Sequence, residues 1–373
     1  MQGSLTSLSV LGPQAEDERQ RIRRQFEAGG SAQQTLHALC ELADRTAQQI
    51  FGEVLRVHNA APQGLSLVAL GGYGRRLLFP YSDLDILFLF GNEKVEADFR
   101  PLIADFARTL WDLGFRVSSA GRTLEECKRI EEDNAEFHLA LLDRRFLAGD
   151  EELFEHLTKK VLAGPEKQAR HFLLAELTKL TKERHARYGN TIYHLEPNVK
   201  DAPGGLRDYQ AAAWLRQIVN GQKEGLRNSA GEEELAANAV DFLSAIRCFL
   251  HYSNGRNDNT LTYELQSAAA ERSLGIAGRV ASSVKRSPEE WMRLYFRQAR
   301  ILNRLLLRYI EQKPAGQPSL RERLFNAARG SRNEPVKGKP FAVRDGLLEV
   351  VDESALSDRQ RSEERRVGKE CRP

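Results

Sequence analysis

Apolar residues recur at steps of three and four positions along the first part of the chain. Leu36 and Leu39 belong to this pattern, which extends from about residue 16 to 58 and predicts helix. Ser31 precedes the run and is a candidate N-cap, because its hydroxyl can accept a hydrogen bond from the first helical turn. The sequence therefore predicts a helical N-terminal segment over residues 1–60.

The pattern then changes to short apolar runs that are typical of buried strands. One run spans residues 65–70, a cluster of glycines interrupts it, and a second run spans 84–90. A helical stripe over 99–111 follows, and 115–119 is a candidate third strand. We expect two buried strands around a glycine loop, then a helix and a strand, in a small domain over 61–150.

From about position 123 the periodicity is almost entirely helical, and an α-helical domain is expected over 151–312. Proline and glycine then mark a linker over 313–360, which contains a short β-hairpin around the turn dipeptide Asp345-Gly346. Residues 361–373 become mostly charged, which predicts a disordered tail and suggests that it is foreign to the natural fold. These elements together predict the α+β class.

Composition excludes several classes of protein. Of the 373 residues, 41% are hydrophobic and 29% are charged, which is ordinary for a soluble globular chain. No stretch approaches the roughly 18 consecutive apolar residues of a membrane span, and we expect a cytoplasmic protein with no membrane partner. The net charge of +3 gives no support for nucleic-acid binding. The four cysteines are scattered, which argues against zinc and disulfides.

The sharpest chemical signal is the pair Asp83 and Asp85 at the start of the second predicted strand. Two positions apart on a strand, the carboxylates share one face, while Leu84 and Ile86 pack on the other. Such pairs are common by chance and usually lie on a solvent-facing edge. Here, however, two charges inside an apolar strand are costly unless something pairs with them, and carboxylates suit Mg²⁺. The pattern therefore favours a metal site.

Glycines at the end of the first predicted strand favour a phosphate site beside these carboxylates. Gly71 and Gly72 allow the backbone to approach a ligand closely, and their N–H groups can meet phosphate oxygens, especially if a helix begins near Arg75. Arg75 and Arg76 add positive charge. Metal held by the carboxylates would bridge the phosphates and activate the attacking oxygen. Loop and carboxylates together predict a nucleotide site.

Two separated segments carry a family resemblance. Gly72-Tyr73 followed after nine residues by Asp-x-Asp resembles the signature of the polymerase-β-like nucleotidyltransferase superfamily, which often has serine in place of this tyrosine. Segment 71–87 is similar to bacterial PII uridylyltransferases, and 187–208 resembles a second block of that family, with Leu-Glu-Pro-Asn and Gly-Gly-Leu-Arg-Asp. The resemblance covers roughly residues 30–350 and only the transferase part. It implies a small mixed-sheet polymerase-β-like domain with a larger all-helical domain.

The resemblance also implies an activity and its participants. The family uses Mg²⁺ to transfer UMP from UTP to a tyrosine of a PII-type signalling protein, with loss of pyrophosphate. On this sequence it assigns Asp83 and Asp85 as the catalytic and metal-binding residues. The residues then expected to bind the nucleotide are Gly71, Gly72, Tyr73, Arg75, Ser82, Lys200 and Arg207.

The second block admits two roles. Lys200 and Arg207 can reach nucleotide phosphates or the protein substrate. Equally, the block can lock the helical domain against the catalytic one, with Arg207 in a structural ion pair. In either case a helix is expected to start near Leu206, because Gly204 and Gly205 precede it.

Other functions stay open at this point. One is adenylyl transfer from ATP to a protein such as glutamine synthetase, because nothing in the sequence indicates which nucleobase is bound. Another is a non-catalytic nucleotide-binding or interaction module, since Leu77 and the segment Ser118 to Gly121 depart from the family pattern and a third carboxylate is not evident. Superfamily members usually have a third carboxylate as general base. It is not placed here, and its candidates are Asp112, Glu125 and Asp133.

Overall fold

A computed structural model describes most of the chain, which divides into two compact units, Met1–Lys313 and Pro314–Pro373. The described residues are 4–130, 134–162, 167–220, 230–276, 286–311, 334–335, 341–344 and 347–350. None of the helices in these ranges combines the length and the apolar character that crossing a membrane requires.

Two long helices begin the first unit, α1 (Ser4–Glu27) and α2 (Ala32–Val57). The helical run expected here is therefore interrupted, because Gly29 adopts a φ of +104°, which favours glycine and ends α1. The Ser31 hydroxyl accepts a hydrogen bond from the N–H of Gln34 at 3.1 Å, which confirms the predicted N-cap of α2.

The other helices follow in chain order. They are α3 (Gly71–Gly74), α4 (Glu93–Asp112), α5 (Ala135–Leu141), α6 (Glu151–Leu162), α7 (Lys167–Arg187), α8 (Leu206–Asn220), α9 (Ala230–Asn254), α10 (Tyr263–Glu271) and α11 (Pro288–Glu311). The start of α8 at Leu206 is where the sequence predicts it.

Four strands form a mixed sheet, which confirms the predicted α+β class. The strands are β1 (Leu65–Ala69), β2 (Leu84–Phe90), β3 (Val117–Thr123) and β4 (Arg145–Gly149), in the spatial order β3-β2-β1-β4. β1 is antiparallel to β2 and β4, and β2 is parallel to β3. The helical expectation for the residues of β4 was wrong, because only Leu147 of this short strand is fully buried and no alternation is visible.

Strand β2 is buried on both faces. Leu84 and Ile86 pack in a cluster with residues of α2 and α4, whereas Leu87 and Leu89 pack in a second cluster with residues of α6. Successive side chains of a strand point to opposite faces. The sheet is therefore covered on both sides, and a polar side chain on β2 needs a reason to be there.

The helical region packs around a core that it shares with α1 and α2. This core contains Trp214 and Trp291, as the helical stripes of α8 and α11 predict. The same argument places Trp111 in the core, and there it is wrong: this side chain is 61% exposed. The buried positions of α4 are Leu102, Phe106 and Leu110. Trp111 follows Leu110 directly and is rotated about 100° away from that face.

The second unit contains a small antiparallel sheet, described by itself. Its strands are β5 (Glu334–Pro335), β6 (Phe341–Arg344) and β7 (Leu347–Val350). Arg344 pairs with Leu347, so β6 and β7 form a hairpin where the sequence suggests one. The expected tail over 361–373 lies outside the described residues.

Candidate active site

A cleft of about 630 Å³ lies where the ends of β1 and β2 meet α7, α8 and α9. Residues that are far apart in the sequence border it, and they include every residue that the sequence assigns to the site. These are Gly71, Gly72, Tyr73, Arg75, Ser82, Asp83, Asp85, Lys200 and Arg207.

The two carboxylates stand at the start of β2. Asp83 is exposed and Asp85 is half-buried. The carbonyl of Asp85 accepts a hydrogen bond from the N–H of Leu70 at 2.9 Å, which fixes it beside the end of β1. Burial and the negative charge of Asp83 raise the pKa of Asp85. A cation between the carboxylates would remove their repulsion.

These carboxylates fit Mg²⁺ better than a metal held by protein groups alone. In the part of the chain that the structure describes, no three or more His, Cys, Asp or Glu residues are grouped to hold a metal. Mg²⁺ is commonly bound by one or two carboxylates and completes its shell with water and substrate phosphates. Asp83 and Asp85 are such a pair, and the cleft leaves room for a phosphate ligand.

The glycine turn differs from the expected arrangement. The glycine loop would be best suited to phosphate if a helix began near Arg75, whereas α3 is formed by the glycines themselves and Arg75 follows it. The N–H groups of Gly74 and Arg75 donate to the carbonyls of Leu70 and Gly71 at 2.8 and 3.1 Å. They are therefore not available to a ligand. The N–H groups of the first turn, Gly71 to Tyr73, have no acceptor within the helix and can meet phosphate.

Gly71 sits against one of the carboxylates. Its φ is +54°, and a Cβ there would lie 2.9 Å from Oδ2 of Asp85. We expect Gly71→Ala to displace this carboxylate and weaken Mg²⁺-dependent nucleotide binding about tenfold, or about 1.4 kcal/mol. Titration calorimetry measures the effect. Gly255→Ala is the matched control, because Gly255 has a φ of +63° with nothing within 4 Å. Equal affinities of both variants would contradict the expected role of Gly71.

The Tyr73 side chain faces the core rather than the cleft, so the nucleotide contact expected at this position could come only from its backbone. Its ring is 1% exposed and belongs to the hydrophobic cluster of α2 and the sheet. The guanidinium of Arg145 lies 5.3 Å from the ring centroid. Burial raises the pKa of the phenol far above its usual range. Tyr73 therefore anchors α3 to the core and offers the cleft only its backbone.

Arg75 is held by a carboxylate that the sequence analysis missed. Its guanidinium donates to Asp143, whose side chain is 2% exposed and also accepts a hydrogen bond from Nε1 of Trp214 at 2.9 Å. The ion pair and the hydrogen bond from Trp214 together link the glycine turn to α8. An acidic residue directly after the apolar pair Leu141-Leu142 was the available signal, because buried carboxylates require partners.

Lys200 and Arg207 both reach the cleft, and Arg207 also has the partner that a structural role requires. Its Nε lies 3.6 Å from Asp201, and its Nη1 donates to Gln210 at 3.0 Å. The N–H of Arg207 donates to the carbonyl of Lys200 at 2.9 Å, and this bond closes the loop before α8. The ion pair of the structural role is therefore present within the block, and a contact of Lys200 and Arg207 with phosphate stays a prediction.

The block also contains a buried lock. Asp208 is 0% exposed and accepts hydrogen bonds from Arg184 at 2.8 Å, from His185 at 2.7 Å and from the N–H of Gly204 at 2.7 Å. Burial opposes its ionisation, yet the hydrogen bond from His185 and the charge of Arg184 hold the pKa of Asp208 below its usual range. Asp208 thus ties the loop to α7.

Two of the three candidates for the third carboxylate lie away from the cleft. Asp112 and Glu125 do not border the cleft, and Asp133 lies outside the described residues. Of the cleft residues that the structure describes, the acidic ones besides the Asp-x-Asp pair are Glu136 and Asp201.

A buried histidine lies near a positive charge of the cleft. His251 on α9 is 0% exposed, and its Nδ1–H donates to the carbonyl of Pro80. Burial, followed by the charge of Arg247, lowers the pKa of His251 to about 4 from an ordinary value of 6.5. The imidazole is therefore neutral in the folded protein at neutral pH.

This neutral imidazole makes stability depend on pH. Below pH 6.5 the unfolded chain protonates His251, whereas the folded chain does so only near pH 4. The free energy of unfolding should therefore fall as pH falls through this window, by about 1.4 kcal/mol per unit. Urea unfolding at pH 7 and pH 5 measures it. His251→Asn should flatten the dependence, while His37→Asn, at an exposed position of α2, should not. Identical pH slopes for wild type and His251→Asn would refute the assignment.

Two family models match the chain. Residues 172–308 match the GlnD PII-uridylyltransferase family, and residues 17–138 match the nucleotidyltransferase family DUF294. The first match contains Lys200 and Arg207, and the second contains the glycine turn and the Asp-x-Asp pair. The cleft is thus built from residues of both matched segments.

Curated relatives cover most of this chain. A bifunctional uridylyltransferase/uridylyl-removing enzyme of Cupriavidus pinatubonensis is 36% identical over 80% of the chain, and its counterpart in Burkholderia orbicola is 32% identical over 89%. The protein of the same name in Vibrio parahaemolyticus is 34% identical over 78%. The chain spans about a third of the length of these relatives, between 33% and 37%.

Proposed function

The chain is a relative of the PII uridylyltransferases, and from this premise we propose that it transfers UMP from UTP to a tyrosine of a PII-type signalling protein. The reaction would require Mg²⁺ and release pyrophosphate. One observation carries the proposal: two carboxylates, the free N–H groups of a helical turn and several cations border a single cleft. A nucleoside triphosphate with its metal has the charges that match these groups.

Different residues of the cleft would bind the metal and the phosphates. Asp83 and Asp85 would hold Mg²⁺, which when bound polarises the α-phosphate. The first-turn N–H groups from Gly71 would orient the phosphate oxygens, and Arg75 would add positive charge. The phenolic oxygen of the acceptor attacks the α-phosphorus, and the bond from this phosphorus to the oxygen bridging to the β-phosphate breaks. Pyrophosphate leaves, and the phenolic proton passes to solvent.

The relatives, rather than the cleft, indicate which protein is the acceptor and which nucleobase the substrate carries. The matched family is described as PII-uridylyltransferase, and the curated relatives are named uridylyltransferases. Adenylyl transfer from ATP is the competing reaction, and a module that binds nucleotide without catalysis is the competing class. The same incubation separates them, because adenylyl transfer would label the acceptor from ATP and the non-catalytic module would leave it unlabelled.

The test incubates the chain with a PII protein, Mg²⁺ and each of the four α-labelled nucleoside triphosphates in turn. Label from UTP alone on a PII tyrosine is the expected result. Label from ATP would replace the proposal with adenylyl transfer. Nucleotide binding without any label on the acceptor would contradict the proposed transfer to PII. EDTA in a parallel reaction should abolish the labelling, because the carboxylate pair acts through its metal.

A further inference from the structure

One arginine of the cleft is buried without an acidic partner. Arg247 on α9 is 7% exposed and borders the cleft. Its Nε donates to Oδ1 of Asn259 at 2.7 Å, and its guanidinium lies 4.0 Å from the ring centroid of Phe79. Across the described ranges, no carboxylate lies within 4.0 Å of it. Its Nη2 also donates to Oδ1 of Asn257, at 3.4 Å. The charge is thus held by two neutral amides and an aromatic face, and the guanidinium retains further N–H donors.

Lys200 is the second such cation. It is half-buried, borders the cleft and has no carboxylate within 4.0 Å of its ammonium among the residues with described positions. Burial, and then the positive charges of Arg247 and Arg207, lower its pKa. Burial lowers the pKa of Arg247 to about 10, and the charges of Arg207 and Arg75 act in the same direction. Lys200 and Arg247 therefore lie in one region of positive potential.

The other cations of the cleft have a carboxylate partner or are exposed to water. Arg75 pairs with Asp143, Arg184 with Asp208 and Arg207 with Asp201. Arg187 is exposed, so water solvates its charge. A buried charge without a counterion is costly, and it persists at sites where a ligand supplies the opposite charge.

We propose that Lys200 and Arg247 form an anion subsite that binds the β- and γ-phosphates of the nucleotide and the pyrophosphate that leaves. This inference rests on the proposed function, and it adds Arg247 to the residues foreseen from the sequence. The planar guanidinium can donate two parallel hydrogen bonds to a phosphate, and the ammonium of Lys200 adds a point charge. The subsite would stabilise the charge that develops on the leaving group.

Inorganic pyrophosphate tests the subsite without a base or an acceptor. Calorimetric titration in the absence of Mg²⁺ should show binding to the wild-type chain, weakened about 10- to 100-fold in Arg247→Gln. Arg247→Lys keeps the charge and should lie between the two. Arg144→Gln is the matched control, because Arg144 is half-buried, bonds only to Thr158 and a carbonyl, and lies outside the cleft.

A folded Arg247→Gln variant that binds pyrophosphate as the wild type does would overturn the subsite. If this variant fails to fold, Lys200→Gln carries the same expectation, since its half-buried position tolerates an amide. The proposed function fails separately: pyrophosphate binding lost in Arg247→Gln, together with no nucleotidyl transfer by the wild type, would support the subsite and refute the transferase. Transfer by the wild type with unaltered pyrophosphate affinity in the variant would do the reverse.

Discussion

Asparagine at both Asp83 and Asp85 should abolish nucleotidyl transfer, by about 10³-fold or more, while the chain stays folded. The two carboxylates are the proposed metal ligands, and an amide carries no charge to hold Mg²⁺. Burial and Asp83 raise the pKa of Asp85, so the charged form of Asp85 is disfavoured in the folded protein. The variant should therefore be at least as stable as the wild type. Transfer of α-label measures the first effect, and urea unfolding the second.

Asp112→Asn provides the matched control. Asp112 is an exposed acidic residue that does not border the cleft, so the same change of charge should leave the transfer rate within twofold. Comparable losses in both variants would show that the effect reflects net charge rather than a metal site. Full activity of the double variant would show that Asp83 and Asp85 do not form a metal site on which transfer depends.

The largest loss of stability is expected at Asp208, which binds no substrate in this account. Asp208→Ala leaves the buried guanidinium of Arg184 without its counterion, removes a hydrogen-bond partner of His185, and should cost about 3–5 kcal/mol in the free energy of unfolding. Asn303 on α11 also donates to this carboxylate, at 3.3 Å. The loss therefore spreads from α7 through the loop to α11. Urea unfolding at pH 7 measures it.

Asp105→Ala is the comparison for this prediction. The Asp105 side chain is 43% exposed and pairs with His58 at 2.9 Å, and exposed pairs contribute less than about 1 kcal/mol. Similar stability losses at Asp105 and Asp208 would show that the buried network does not lock the loop. Binding of Lys200 and Arg207 to phosphate would then need another explanation for how their loop is held.

Much of the site follows from short-range patterns. The apolar run that became β2 places Asp85 on the face opposite Ile86, because side chains alternate along a strand. Gly71 and Gly72 directly follow the apolar run of β1, which predicts a turn there. These inferences need only the residues within one strand or one turn, whereas the contact of Gly71 with the carboxylate of Asp85 depends on the fold.

Long-range packing accounts for what the sequence could not supply. Tyr73 occurs in a loop motif, and only the packing of α3 on α2 shows that its ring faces the core. Asp143 and Arg247 are each a single charge in an otherwise apolar segment, and the periodicity does not indicate what they do. Their roles depend on partners far along the chain. Strand β4 was missed because its pairing with β1, rather than its own alternation, defines it.

The proposed transfer of a nucleotidyl group by this cleft can be tested by the position of the label in UTP. Two reactions with a PII acceptor and Mg²⁺ would use UTP labelled at the α- or the γ-phosphate. Acceptor label is expected from the α-labelled nucleotide only, with the γ-label recovered in pyrophosphate in equal amount. Acceptor label from γ-labelled UTP, or pyrophosphate without labelled acceptor, would contradict it.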